Sequence, residues 1–537
     1  MVYGLILGVI TWGFNLFFRL RYYLHMMQLE MYDNEKYQNW VNNNKNKTNT
    51  RKTGFLVIIT AAITSIYIIY PYNIFIYIGL WVATNIYSLE FIKTENKKPL
   101  VYTERAKRLF GGTILVSVLD LLLVILVVKL IAGDIYYIPI SIFILSLALY
   151  FSSYYLILGN WIVAPIEKSV NLNFYKKAYN KSRSIEGLTT IGITGSYGKT
   201  STKFITSKIL AQKYKTIHTP NSYNTPMGIS KFINEELDEE NRIFVAELGA
   251  ERLGEIKEVA KLVNPKIGII TSIGPSHLKT FKSIENIMKT KYELIKELPA
   301  DGTAIFNYDN EYVRKLADKT YRHKILYGIE SKDDVDIYAE DIKTTNKGST
   351  FKLHIKEKGS VECRTKLLGK HNILNILAGV AAAYAMDMTL VQISSGIERI
   401  ESVEHRLQLI DPGTGVYVID DAFNSNPKGA EAALEVLKDF TEGSKIIVTP
   451  GMVELGKLQK DENFKFGEKI AEVCDKVILV GKKQTQPIYD GLKSKGYDTN
   501  KISVVKNLEE AQVLIGKIVK AKDVVLFEND LPDTYSE

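Results

Sequence analysis

Ile191-Gly192-Ile193-Thr194-Gly195-Ser196-Tyr197-Gly198-Lys199-Thr200-Ser201 decides how this chain is read. A β-branched run passes into a glycine turn, and the residues that follow, KFITSKILAQ, carry a helical pattern. Gly195 and Gly198 let backbone amides close around phosphate oxygens, and the helix N-terminus adds a positive field. Within the loop, Ser196, Tyr197 and Ser201 complete the cradle, Lys199 reaches the terminal phosphates and the Thr200 hydroxyl suits Mg²⁺. The spacing GxxGKTS is tighter than the general GxxxxGK[ST] pattern, so it predicts a nucleotide-triphosphate site of a narrower group.

Toward the C-terminus the text keeps the same grammar. TTIGIT, RIFVAEL, KIGIITSI, GVYVID, KIIVTP, DKVILV and DVVLF are short β-branched runs separated by helical patterns, which predicts parallel sheets and α/β folds. The stretch from Gly302 to Gly369 is richer in short strands and turns, and a break falls near Ser402. These signals predict a central ATP-binding domain over 187–402 and a C-terminal Rossmann-like domain over 403–537.

Toward the N-terminus the composition changes. Five apolar stretches, Val2 to Phe18, Gly54 to Tyr70, Tyr72 to Leu89, Phe110 to Ile131 and Ile135 to Val163, predict an α-helical membrane region over 1–165. No basic segment precedes the first stretch and further spans follow it, which argues against a cleaved signal peptide. Basic residues gather in two loops, one from Arg19 to Lys52 and one from Lys93 to Arg108, while the turns at Pro71 and Gly133-Asp134 carry none. The positive-inside rule then puts the N-terminus outside and everything after Pro165 in the cytoplasm, with 166–186 as a basic linker. Asp120, at apparent membrane depth, reads either as a head-group or proton site or as a helix-packing contact.

A formal charge of +8 is scattered among acidic residues and concentrated beside the apolar segments, which argues for membrane topology over nucleic-acid binding. Cys363 and Cys474 stand in unrelated contexts, so neither a disulfide framework nor a zinc site is indicated.

The phosphate loop is followed in order by NSYNTPMGIS from Asn221, VAELGAERLGEI from Val245, TSIGPSHLKTF from Thr271, ENIMKTKYELI from Glu285 and FNYDN from Phe306. LGKHNILNILA from Leu368, EHRLQ from Glu404, DDAFNSNP from Asp420 and PGMVELG from Pro450 complete the series. This series resembles the Mur ligase family, most of all its members that add D-alanyl-D-alanine to a muramoyl peptide. The resemblance implies an ADP-forming acid-amine ligase of cell-wall synthesis, which phosphorylates a carboxylate with ATP and passes the acyl phosphate to an amine. It implies two Mg²⁺ ions, held by Thr200, Glu247, His277 and by Lys291 as a carbamate, with Lys289 close enough in sequence to compete for that place. It also implies that Asn307, His371, Asn372 and Asn375 face or support adenine, that Arg406 and Asp421 contact ATP from the C-terminal domain, and that Asn221, Asn224, Thr225, Asn424 and Asn426 meet substrate.

The chain departs from the family pattern in three places. Soluble members carry a UDP-sugar domain where this chain has apolar stretches and the basic linker. The C-terminus reads LFENDLPDTYSE where a Lys-Gly-Ser-Arg type stretch is usual, and Asn463 stands where a histidine is usual. A lipid-linked or polymeric acceptor, as in poly-γ-glutamate synthesis, is therefore a second reading. A transport ATPase is a third, but it lacks a second ATPase signature and leaves the motifs after Thr271 unexplained.

Overall fold

The structure is a computed structural model that describes residues 2–530 except 72–73, 90–98, 221–222, 277, 346, 424–425 and 454. Asn221, His277, Asn424, the basic residues Lys93, Lys97 and Lys98, and the last seven residues therefore lie outside the described residues. The chain divides into two units, Met1–Leu172 and Asn173–Glu537.

The first unit is helical, built on Val2–Leu29, Arg51–Ile69, Ile74–Ser88 and Glu104–Tyr150 and on the start of Tyr155–Ser184. Around an apolar core that includes Leu20, Tyr23, Met27 and Leu149, it also exposes apolar residues and buries polar ones. Leu122, Leu123, Leu126, Leu130 and Ile131 are exposed, while Asn15, Arg19, Thr60, Thr64, Asn85 and Ser146 are buried. Buried polar groups must find partners. Asn15 donates to Ser88 Oγ at 2.6 Å and the Trp12 indole to the Leu145 carbonyl at 2.9 Å. The Arg19 guanidinium reaches Tyr23 Oη at 2.7 Å, Ser152 Oγ at 3.2 Å and the Thr48 carbonyl at 2.5 Å.

Two helices among the described residues, Arg51–Ile69 and Glu104–Tyr150, are long and apolar enough to cross a bilayer; Ile74–Ser88 is shorter, at 15 residues. The expected stretch from Ile135 to Val163 is not one helix. Gly133, at φ 68°, breaks the helix Glu104–Tyr150 as the turn at Gly133-Asp134 predicts, but a second interruption at Ser152–Tyr154 precedes Tyr155–Ser184. Residues 166–184, read from sequence as a linker, continue that last helix. Asp120 accepts a hydrogen bond from Tyr155 Oη, which is the packing contact weighed above.

In the second unit, strands β1 (Thr189–Thr194), β2 (Thr216–His218), β3 (Ile243–Glu247), β4 (Ile267–Ile270), β5 (Thr303–Asn307) and β6 (Lys324–Gly328) lie parallel. β7 (Ile337–Thr345) joins β6 in parallel, and β8 (Gly348–Ile355) and β9 (Gly359–Thr365) follow as an antiparallel meander. The order is β2-β3-β1-β4-β5-β6-β7-β8-β9. After β1 the chain first builds one side of the sheet and then returns to build the other. That reversal opens a crevice beyond the carboxyl end of β1, the place where parallel sheets bind ligands. Ile191, Ile193, Val245 and Ile269 are fully buried, as the β-branched runs require, and trimming any one to Ala would cost about 2–5 kcal/mol.

A second sheet, β10 (Gln408–Ile410), β11 (Tyr417–Asp421), β12 (Lys445–Thr449), β13 (Lys476–Val480), β14 (Ile502–Val505) and β15 (Val524–Glu528), has the order β10-β11-β15-β12-β13-β14. All its pairings are parallel except β10 with β11. Cys363 and Cys474 are both free and buried.

Candidate active site

The phosphate loop occupies that crevice. Gly198, at φ 79°, caps the helix Lys199–Leu210, a backbone conformation that a side chain resists. Gly195 is excluded from substitution by crowding instead, because a Cβ there would lie 2.1 Å from Thr271 Oγ1. The loop is laced to the end of β4. Thr271 Oγ1 donates to the Tyr197 carbonyl at 2.6 Å, the Ser196 amide to the Ser272 carbonyl at 2.6 Å, and Ser196 Oγ to the Gly274 carbonyl at 3.0 Å. Lys199 Nζ donates to the carbonyls of Gly195 and Ser196 at 2.9 and 3.1 Å, and desolvation holds its ammonium below the usual lysine range.

Glu247 ends β3 and is buried. Asn224 Nδ2 donates to its Oε1 at 3.1 Å, and Lys203 Nζ stands 3.5 Å from Oε2, which has no hydrogen bond among the described residues. Burial lowers Lys203 to about 8 despite that carboxylate. Lys291 lies on the inner face of the helix Ile284–Lys296, only 3% exposed and packed near the Phe281 ring; burial first, and Lys199 next, pull it down to about 7. Lys289 is on the exposed face of the same helix, so geometry separates the two lysines that sequence left in competition.

The helix Lys370–Ala385 closes another wall. Asn375 Oδ1 accepts from Thr202 Oγ1 at 3.1 Å, Asn375 Nδ2 reaches Asn372 Oδ1 at 3.3 Å, and Asn372 donates to the Leu368 carbonyl at 3.0 Å. Burial pushes His371 down to about 4, which keeps it neutral. From the C-terminal sheet comes Arg406, flanked by two residues in left-handed backbone, His405 at φ 58° and Leu407 at φ 47°. Its guanidinium lies 4.2 Å from the Phe423 ring centroid. Asp421, at the end of β11, accepts from the Leu407 amide at 3.1 Å and is raised to about 6 by burial.

Residues of the phosphate loop, of the helix Lys370–Ala385 and of the C-terminal domain meet around a cavity of about 280 Å³ lined by Tyr197, Gly198, Ser201, Asn307, Asn375, Arg406 and Asp421, while Lys199, Lys203, Glu247 and Lys291 do not line it. Of the residues expected at substrate, Asn426 lines this cavity, and three of them make contacts within the protein. Asn224 holds Glu247, while Thr225 and Asn426 cap the helices Pro226–Glu235 and Pro427–Lys438. Sequence reasoning missed Lys203, although it lies one helical turn beyond Lys199, and it missed Thr271, Asn310 and Lys428. No three His, Cys, Asp or Glu side chains converge as a ready metal site among the described residues.

A phosphate loop at a sheet reversal, faced by basic and acidic groups of a second α/β domain, is the arrangement of a two-domain nucleotide-binding fold. Residues 193–383 match the Mur ligase middle domain and residues 405–528 match the Mur ligase glutamate ligase domain, so the chain belongs to the Mur ligase family. It is 34% identical over 269 residues to the UDP-N-acetylmuramoyl-tripeptide--D-alanyl-D-alanine ligase of Buchnera aphidicola subsp. Baizongia pistaciae, covering 50% of this chain and 58% of that one. With the Escherichia coli K12 ligase of the same name it shares 32% over 293 residues, 54% of this chain and 64% of that one. The chain thus spans less than two thirds of these relatives' length. Among solved structures, MurF from Acinetobacter baumannii aligns with TM-score 0.60 at 27% identity, over 68% of this chain and 78% of that one. The Thermotoga maritima MurF ligase in complex with ADP aligns with TM-score 0.61 at 25% identity, over 68% and 81%.

Proposed function

We propose that this chain is an ATP-dependent, ADP-forming ligase that joins an amine to a carboxylate in cell-wall precursor synthesis, with D-alanyl-D-alanine and a muramoyl peptide as its substrates. The observation that carries this reading is the convergence of Asn375, Arg406 and Asp421 with the phosphate-loop residues Tyr197, Gly198 and Ser201 around one cavity. The relatives' names supply the substrates.

In this reading the loop amides and Lys199 hold the phosphates, Asn307 and Asn375 set the adenine end, and Arg406 and Asp421 close from the C-terminal domain. A carboxylate oxygen of the acceptor bonds to the γ-phosphorus as ADP leaves. The amine nitrogen then bonds to the acyl carbon, the C–O bond to phosphate breaks with its electron pair on phosphate, and the nitrogen gives up a proton. Negative charge gathers on the phosphoryl oxygens in both steps, which is why fixed cations and donors converge there.

Mg²⁺ would find a buried carboxylate oxygen at Glu247, paired at 3.5 Å with the Lys203 ammonium that the ion would have to displace, and a hydroxyl at Thr200 on the loop. Bound there, the ion supplies charge neutralisation for the phosphates. His277 and Lys291 as a carbamate complete the proposed set, and a lysine drawn down to about 7 carries the neutral amine that carbamylation needs.

The apolar exterior of the first unit supports placing it in the cytoplasmic membrane, with several spans and the catalytic domains on the cytoplasmic side. The same exterior favours a second reading, in which the acceptor is lipid-linked or polymeric. The test is ATP turnover by the detergent-purified chain with D-Ala-D-Ala and either soluble UDP-linked or lipid-linked muropeptide, with products identified by mass. An amide product with either acceptor supports ligation and chooses between the two; hydrolysis indifferent to every acceptor refutes it.

A further inference from the structure

A second cavity, of about 240 Å³, lies beside the first. Tyr197 and Pro275 line it from the phosphate-loop domain, and Pro427, Lys428, Met452 and Phe466 from the C-terminal domain. Among the described residues, two line both cavities, Tyr197 and Lys428, one from each domain.

Tyr197 is held by more than its chain neighbours. Its carbonyl accepts from Thr271 Oγ1 at 2.6 Å and Ser272 Oγ at 3.2 Å, and its ring lies against the bare backbone of Gly274, where a Cβ would come within 2.6 Å of ring Cε2. Loop and ring are both fixed. Yet the hydroxyl is buried with no hydrogen-bond partner among the described residues. Burying such a group unsatisfied costs about 1–3 kcal/mol, and a fold that could relieve the cost with any nearby acceptor leaves it standing. Burial, with Glu462 nearby, raises the phenol's pKa well above its ordinary value, so the hydroxyl stays a neutral donor. Lys428 adds an ammonium from the opposite wall, at the second position of the helix Pro427–Lys438. Tyr197 and Lys428 thus stand on the walls shared by both cavities, Tyr197 two residues before Lys199.

Resting on the ligase reading above, we propose that Tyr197 Oη and Lys428 Nζ donate to the phosphoryl oxygens where the two cavities adjoin, during transfer. Tyr197 is then a catalytic residue that ATP binding alone does not use.

The test compares Tyr197→Phe, which removes only the hydroxyl, with Lys428→Met and the double variant, all as the full chain in detergent. Tyr197→Phe should lower amide formation at saturating substrates by roughly 10²-fold, the scale of one lost donor to a reacting oxyanion. Equilibrium binding of ATP should change less than twofold. The double variant should lose less than the product of the single losses, because both donors serve one group. Retention of ADP–aluminium fluoride, a mimic of the transferring phosphoryl, should fall in both single variants, and this needs no acceptor. Wild-type turnover by Tyr197→Phe, a parallel loss of ATP affinity, or undiminished retention of ADP–aluminium fluoride would each overturn the junction. Failure of the wild-type chain to form any amide would instead refute the ligase reading, while the aluminium fluoride result still judges the two donors.

Discussion

The two units of this chain bury charge in opposite ways. In the helical unit, Arg19 is 1% exposed and donates hydrogen bonds to neutral groups: a phenol, a hydroxyl and a carbonyl. In the α/β unit, Lys203 and Lys291 are buried within the field of the buried Glu247 carboxylate, which ends β3. The first arrangement fastens a short connection against a helix. The second keeps charges apart from water and available to a ligand. Buried charge by itself therefore does not mark a site; buried charge at a sheet reversal beside a phosphate loop does.

The largest test of this contrast is Lys199→Ala. It should lower ATP turnover by on the order of 10²–10³-fold while leaving the helical unit's partition into membranes unchanged, read by phosphate release and membrane fractionation. Retained turnover would mean that the sheet reversal is not the site.

Lys291→Met should cost comparable turnover but raise the thermal midpoint by a few degrees, because removing a strained functional group commonly stabilises a fold. The sign follows from linkage. Burial lowers Lys291 from 10.5 to about 7, so the unfolded chain binds more protons through that window, and the penalty is full below about pH 7 and fades toward 10.5. The gain in midpoint should thus be larger at about pH 6.5 than at about pH 9.5. A destabilised Lys291→Met would place this lysine with Arg19 among the fasteners.

Arg19→Ala supplies the converse. It strands buried acceptors and should destabilise the helical unit by about 2–3 kcal/mol, seen as a lower unfolding midpoint in detergent, with ATP turnover unchanged. Asn375→Ala breaks the relay from Thr202 to Asn372 and should weaken ATP binding roughly tenfold, about 1.4 kcal/mol, measured by equilibrium dialysis. Lys289→Ala, on the exposed face of the helix that carries Lys291, should stay within about twofold of the parent in every assay.

How much of this was legible depended on how local each signal was. The phosphate loop was readable because its turn, glycines and lysine are contiguous, and β1, β3 and β4 because strands buried on both faces leave β-branched runs. Lys203 was not readable: its partner Glu247 is 44 positions away, and only the packing of the helix Lys199–Leu210 against β3 brings them together. The competition between Lys289 and Lys291 needed the helix phase, which the structure fixes by burying Ile287, Leu294 and Ile295 on the Lys291 side. The interruption at Ser152–Tyr154 was hidden for another reason. Serines and tyrosines sit comfortably within an apolar run, and the bonds that stop the helix there come from Arg19 and Tyr37, far earlier in the chain.

The hold of Lys199 on the carbonyls of Gly195 and Ser196 has a consequence for discrimination. An incoming nucleotide competes with the loop's own acceptors for that ammonium, so affinity is a contest between oxygen donors inside and outside the protein. Two neutral carbonyls lose that contest to the terminal phosphates of ATP and win it against a ligand that lacks them. In the proposed reading such a latch would favour nucleotides that carry terminal phosphates over AMP and adenosine.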